Sequence, residues 1–543
     1  MGAFALSRSD NGARILSAGG ALNQESDSRT GWRHNLAAYL HPRVVAMLFL
    51  GFSAGMPLLL IFATLSLWLR EAGVDRGEVT YFSWAALGYS FKFVWAPLID
   101  KLPLPVLSAW LGQRRGWMLL AQFGVVGAIS MMALSDPSTE AGLAWMAVGA
   151  VLLGFTSATQ DIVIDAYRIE AVEPDLQALM ASTYVAGYRL GMLMAGAVAL
   201  YLAEWLGTTA DNYVYTAWKW TYFAMAATML VGIVTTLVIS EPVSRGRSSY
   251  FHGATDYARF LVLFLFFVTA FVGTFTLLSG TVASLDAWLS GDAGRHRALS
   301  GFLSEAVRLL LSLASGLGAA WLAVRVGVAR REMVRDTYLA PVVDFFERYG
   351  RPAFIILLLV GFYRVSDIVL GVISNVFYHD MGFSKDQIAT VTKVFGIWMT
   401  ILGGFLGGFL TLRFGVLRIL MLGAVMTVVT NLLFILLARA PGELSLLYVV
   451  IGADNITAGL ATAAFVAYLS SLTSLSFTAI QYAIFSSLMT LVPKLLGGYS
   501  GQVVDAIGYE RFFLGASLIG VPVFLFVFLA SRYAPVGGRE PTR

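Results

Sequence analysis

One string, SATQDIVIDAYR at positions 157–168, carries three charged side chains at helical spacing. At four- and three-residue spacing Asp161, Asp165 and Arg168 share one face of a helix, with Gln160 on the adjoining face. At about 1.5 Å per residue, Asp161 lies roughly 10 Å from the nearer end of its apolar run, and Asp165 lies almost at that end. A partly desolvated carboxylate can titrate near neutral pH, so Asp161 is expected to take up and release a proton. Asp165 is a second carboxylate of this kind, expected to pair with Arg168 and help close that end. Lys92 lies at a depth similar to that of Asp161.

Other charges stand alone in apolar runs. Arg189, in GYRLGMLMAG, falls near the middle of its run and keeps its proton there, so it needs a carboxylate from the protein or from a ligand. Arg364 and Asp367, in GFYRVSDIVLGV, are spaced to neutralise each other. Asp454, in GADNITAGLATAAF, has no charged neighbour in its own helix. It is a second proton-carrier candidate, facing Lys393 or Lys494. A charge at mid-bilayer costs about 2.5–3.5 kcal/mol on insertion scales, so each of these is expected to face a partner or a wet cavity. Tyr89, Tyr188 and Tyr363 offer ring faces for a sugar, or pack between helices, and Gln160 and Asn375 add amide groups.

The elements that must hold these residues follow from composition. The chain of 543 residues is 58% hydrophobic and 13% charged, which excludes an ordinary soluble enzyme. It has no cysteine, and none of its five histidines falls within the centre of an apolar run, so no metal centre and no cofactor are expected. Apolar runs long enough to cross a bilayer fall at about 44–69, 79–99, 116–134, 142–166, 179–203 and 218–240, then 258–284 and 302–325, then 352–378, 387–411, 416–438, 444–471, 479–504 and 512–532. That is an all-α membrane protein of about fourteen spans in the order six, two, six. The expected organisation is a flexible tail at 1–43, a six-helix bundle at 44–240, a connection at 241–351 containing two extra spans, a second bundle at 352–533 and a tail at 534–543.

With both termini in the cytoplasm, about 22 Lys and Arg fall in cytoplasmic tails and loops and about 8 in outward loops, which supports that orientation. Arginines between 325 and 351 are expected to anchor the topology and attract anionic lipid, not nucleic acid. Gly187 with Gly191, Gly403 with Gly407 and Gly404 with Gly408 have the spacing that lets helices approach closely. Two bundles joined by a long connection suggest halves that rock about a central site. No phosphate-binding loop is present, so a gradient, with protons as the coupling ion, is the expected energy source. An integral-membrane enzyme using Asp161 and Asp165 is the rival reading, although no nucleophile and base accompany them.

Asp100 with Arg114 and Arg115 resembles the cytoplasmic loop signature of the major facilitator superfamily, which assigns these residues to charge pairing and gating together with Arg168, Arg364, Asp367 and Lys494. The strings GFSAGMPLLL, FKFVWAPLID, RRGW, SATQDIVIDA and GYRLGML together resemble the AmpG-type muropeptide permeases of that superfamily. YRVSDIVL, VTKVFGIWMTILGG and FVAYLSSLTSLSFTAIQYAIFSSL do so more loosely, and the likeness covers about 40–240 and 352–505. The resemblance implies a major facilitator fold and a monomeric, proton-driven importer in the bacterial inner membrane. Its substrates would be N-acetylglucosaminyl-anhydro-muramyl peptides, supplied to peptidoglycan recycling and, in some bacteria, to β-lactamase induction. Arg189 or Lys92 would meet substrate carboxylates, with Lys393 a further cation. An acetyl-coenzyme A carrier of the same superfamily is the alternative. Members of this family place an added helix pair after the twelfth span, whereas here it is central.

Overall fold

Backbone amides in hydrocarbon have no water to bond, so a chain this apolar must satisfy them within each segment, as helices do. A computed structural model describes residues 38–74, 82, 89, 91–209, 212–242, 254–290, 297–497 and 500–533, and among these it contains helices and no strand. The expected terminal tails fall almost wholly outside the described residues. Twelve helices among the described residues are long and apolar enough to cross a membrane.

The first half comprises α1 (Pro42–Glu71), α2 (Ala96–Lys101), α3 (Gln113–Ala133), α4 (Glu140–Ala171), α5 (Gln177–Trp205) and α6 (Tyr215–Val238). The inserted pair is α7 (Ala254–Leu277) and α8 (Arg297–Arg325). A surface helix α9 (Ala340–Tyr349) precedes the second half. That half comprises α10 (Ala353–Phe362, resuming as Val365–Asp380), α11 (Ala389–Phe414), α12 (Val416–Arg439), α13 (Leu444–Leu472), α14 (Thr478–Gly497) and α15 (Tyr509–Tyr533).

Two expected spans need correction. Most of 79–99 lies outside the described residues, and its end is a 3₁₀ turn, Lys92–Val94, followed by the short α2. Pro97 explains the restart, because a residue without an N–H fits only the first turn of a new helix. The run at 479–504 divides into α14 and a helix Ser500–Ile507.

The halves repeat one another. In the first, α1 packs on α5 and α3 on α4 and α6; in the second, α10 packs on α14 and α12 on α13 and α15. Each half also holds buried polar bonds, joining the first helix to the fourth and the third to the sixth in the first half, and the first to the third and sixth in the second. Gln160 Nε2 donates to Ser53 Oγ (3.2 Å) and Thr236 Oγ1 to Gln122 Oε1 (3.0 Å), while Asn431 Nδ2 donates to Ser366 Oγ (2.6 Å) and Ser366 Oγ to Ala516 O (2.6 Å).

Glycine sets the closest approaches. A Cβ on Gly187 or Gly191 would overlap the carbonyls of Leu48 or Phe52 on α1, and one on Gly403 that of Ile456 on α13. Gly404 and Gly408 instead face Ser182 on α5, across the seam between halves. One helix, α11, therefore carries a fixed glycine face at 403 and 407 and a second face toward the other half. Gly187→Val is expected to cost about 1–3 kcal/mol or more, because backbone cannot give way. Gly404→Ala, whose Cβ would find its nearest neighbour at 3.9 Å, is expected to be neutral. Thermal melting of the purified variants in detergent measures both, and equal melting temperatures would refute the distinction.

The inserted pair is not simply a lipid-facing addition. Leu265, Phe266, Leu310 and Leu322 are exposed, but on its other side Phe271 meets Phe91 at 4.8 Å. Phe260 stacks on Tyr338, whose hydroxyl donates to Val94 O (3.2 Å). Burial raises the Tyr338 phenol pKa, so it stays a donor. Beyond it, Gln481 on α14 donates to Pro341 O and Asp344 Oδ2 (2.8 Å each) and accepts from Arg348 Nη2 (2.9 Å). The stretch 331–349 thus touches the first half at Val94 and the second at Gln481.

Candidate functional site

Hydrogen bonds between the halves concentrate at one end, where α4 finishes and α5 and α14 begin; we call it the arginine-rich end. Arg114, fully buried at the start of α3, donates Nη2 to Asp100 Oδ1 (2.7 Å), Glu170 Oε1 (2.6 Å) and Thr478 Oγ1 (2.9 Å). Asp100 also accepts the backbone N–H groups of Ala479 (3.1 Å) and Ile480 (2.9 Å). These belong to the first turn of α14, whose leading amides have no intrahelical partner and carry the positive end of the helix dipole. A carboxylate of one half therefore caps a helix of the other. Tyr39 adds a bond to Phe405 O (2.8 Å).

Arg115, expected beside Arg114 as a gating residue, has a different task. Its guanidinium donates to Thr236 O (2.9 Å) and Leu237 O (2.6 Å), satisfying the last carbonyls of α6. Glu241 accepts the N–H groups of Arg114 and Arg115 (2.8 and 3.0 Å) and caps α3.

From this closure a ladder of charges runs along α4 toward mid-membrane. Arg168 Nη1 donates to Ser470 Oγ (2.7 Å) and Nη2 to Asp165 Oδ1 (3.2 Å), and its guanidinium lies over the Tyr482 ring. Lys92 Nζ is 3.8 Å from Asp165 Oδ2 and acts electrostatically on Asp161. Asp161 is buried, its Oδ1 has no hydrogen-bond partner, and the phenols of Tyr89, Tyr184, Tyr188 and Tyr482 lie within its field. Tyr482 comes from α14 of the other half, so the surroundings of Asp161 are shared between halves.

A second cluster lies deeper. Arg364 occupies the break in α10, where it pairs with Asp367 and donates to Thr462 Oγ1. Its charge and that of Asp367 act on Arg189 from α5 and on Asp454 from α13, and Arg189 in turn acts on Lys393 from α11. The local pairs Asp165–Arg168 and Arg364–Asp367 form as their spacing requires.

Several expected binding residues have partners within the protein. Gln160 is fully buried against α1. The Tyr363 hydroxyl donates to Leu420 O (3.0 Å) and its ring stacks on Phe465 at 4.5 Å, which fills the second half's own core. Lys92 is held by Asp165, and Tyr89 bonds Ser157. The side chains of Asn375 and Lys494 lie outside the described residues. Sequence reasoning missed Glu170, Glu241, Thr478, Tyr184 and Tyr482. Glu170 alone carried a signal, five residues beyond Asp165 on the same helix.

Two six-helix bundles with a mirrored packing scheme, enclosing charges at their seam, define a two-bundle membrane carrier. The profile described as Major Facilitator Superfamily matches residues 44–340, and the chain belongs to that family; it is a transporter and not an enzyme. It is 29% identical over 491 residues to the putative transporter AmpG 4 of Rickettsia conorii, covering 90% of this chain and 97% of that one. It is 28% identical over 499 residues to the anhydromuropeptide permease of Escherichia coli K12, covering 92% and 81% respectively. Among solved structures, a proton:xylose symporter, XylE, aligns with a TM-score of 0.55 at 13% identity over 93% of this chain and 96% of its own. The E. coli fucose:proton symporter FucP aligns at 0.54 and 11% identity, over 90% and 98%. The likeness to these two structures concerns the fold.

Proposed function

We propose that this chain imports anhydro-muropeptides across a bacterial inner membrane by alternating access, driven by protons, with its arginine-rich end and both termini in the cytoplasm. The observation that carries the proton-coupled reading is Asp161, a buried carboxylate with an unbonded oxygen, joined through Lys92, Asp165 and Arg168 to the contacts that hold the halves together. A protonated Asp161 leaves Lys92 wholly to Asp165; an ionised one competes for it. Proton occupancy can thereby bias which end is open. The substrate reading rests on the names of the similar proteins and on a seam that combines cations, carboxylates and phenols, groups suited to an amphipathic sugar-peptide.

Purified protein in sealed vesicles tests both parts. With the outward face exposed and the lumen made alkaline, radiolabelled N-acetylglucosaminyl-anhydro-muramyl tripeptide is expected to accumulate, and to equilibrate without accumulating once a protonophore is added. No uptake would sink the substrate reading; accumulation unaffected by the protonophore would sink the coupling.

A further inference from the structure

The deep cluster holds more positive charge than its carboxylates balance. Arg189 makes one hydrogen bond, to the soft sulfur of Met192 (Nη1 to Sδ, 3.8 Å), and among the described residues it has no ion pair. Arg364 shares Asp367 and acts on Arg189 as a like charge. Lys393 has no ion pair among the described residues, and Arg189 acts on it as a like charge. Three cations thus come from α5, α10 and α11, that is, from both halves. Asp367 and Asp454 oppose them, with the Tyr378 phenol beside Asp454. An arginine at mid-membrane keeps its proton and needs a partner.

We infer that Arg189, Lys393 and Arg364 form an anion subsite spanning the seam, sized for a ligand bearing one or two carboxylates. This rests on the carrier reading above and narrows its substrate class. With both aspartates ionised the cluster has one uncompensated positive charge; with Asp454 protonated it has two. One carboxylate balances the first state and two balance the second. A polyphosphate such as a coenzyme A thioester brings at least three negative charges and leaves the cluster net negative, which a low-dielectric site resists. A planar guanidinium also pairs with a carboxylate through two parallel bonds. The break in α10 matters because it frees Arg364 from regular helical geometry, so its guanidinium can turn from Asp367 toward an incoming ligand. Because the cations come from both halves, a carboxylate held by all three draws α5 toward α10 and α11, which couples occupancy to closure.

The test measures binding to purified protein in lipid nanodiscs by titration calorimetry. The probes are N-acetylglucosaminyl-anhydro-muramic acid with its lactyl carboxylate free, the methyl ester of the same disaccharide, and acetyl-coenzyme A. Wild type is expected to bind the acid about ten- to a hundred-fold more tightly than the ester. Arg189→Gln is expected to bind acid and ester alike, and Arg189→Lys to regain part of the preference. The inference is overturned if wild type binds acid and ester equally, if Arg189→Gln weakens both equally, or if acetyl-coenzyme A binds in an Arg189-dependent way. Should neither disaccharide bind, the muropeptide reading fails by itself. The subsite then stands if an N-acylated dipeptide acid raises the melting temperature of wild type and not of Arg189→Gln, and falls if it does not.

Discussion

Asp100→Ala is expected to open the arginine-rich end. The substitution removes the acceptor of the Ala479 and Ile480 amides and one of the three side-chain partners of Arg114. Charge-assisted hydrogen bonds contribute about 1.5–3 kcal/mol each, so losing two across the seam costs the closed state roughly 3–6 kcal/mol. Two states of a carrier lie within a few kcal/mol of each other, so a change of that size inverts their populations. Arg114→Ala is expected to act in the same direction and to destabilise the fold as well, because it leaves Asp100 and Glu170 buried without their counter-ion. The chain has no cysteine, so single cysteines at Tyr39 or Phe405, whose contact closes this end, report access directly. Their labelling by a membrane-impermeant maleimide should rise about a hundred-fold in Asp100→Ala relative to the native background. Unchanged labelling in a well-folded variant would show that the cap does not hold the end shut.

This closure also shows what the sequence could and could not disclose. Asp165 with Arg168 and Arg364 with Asp367 were legible because an i, i+3 pair is settled by helix geometry alone. The number and order of spans followed from apolar length, apart from the second, where Pro97 restarts the helix, and the thirteenth, which divides after Gly497. Asp100 and Arg114 stood out in their loop, but the partners of Asp100 are backbone amides 379 and 380 residues away. A backbone donor has no side-chain signature, and only its position in the first turn of α14 makes it a cation-like group.

Gln160 illustrates a second limit. Periodicity placed it on the face next to Asp161, but whether that face meets a cavity or a neighbouring helix is settled only by assembly, which sets Ser53 of α1 against it. Tyr363 likewise meets α12 and α13, through Leu420 O and the Phe465 ring. Arg189 was legible as a charge needing a partner. That another arginine, Arg364, would act on it is a property of the assembled halves.

Asp161→Asn is expected to abolish uphill transport and leave exchange intact. Asparagine keeps the shape of a protonated aspartate and cannot ionise, so Lys92 stays with Asp165 in every part of the cycle and the ladder no longer responds to a proton. A carrier moving one proton per substrate concentrates that substrate about tenfold for each unit of pH difference, the 1.36 kcal/mol carried by one proton over one unit. The variant should therefore bring internal and external substrate to equality under a gradient of any size, while counterflow between preloaded and external substrate continues near the native rate. Asp161→Glu, which restores a titratable group one methylene longer, should recover part of the accumulation. Asp454 is half-buried, and the same pair of assays on Asp454→Asn distinguishes the two carboxylates. If Asp161→Asn still accumulates substrate and Asp454→Asn does not, the proton travels through the deep cluster and the α4 ladder is only a latch. If Asp161→Asn loses counterflow too, Asp161 belongs to the binding surface, and coupling must be sought among the groups facing Arg364.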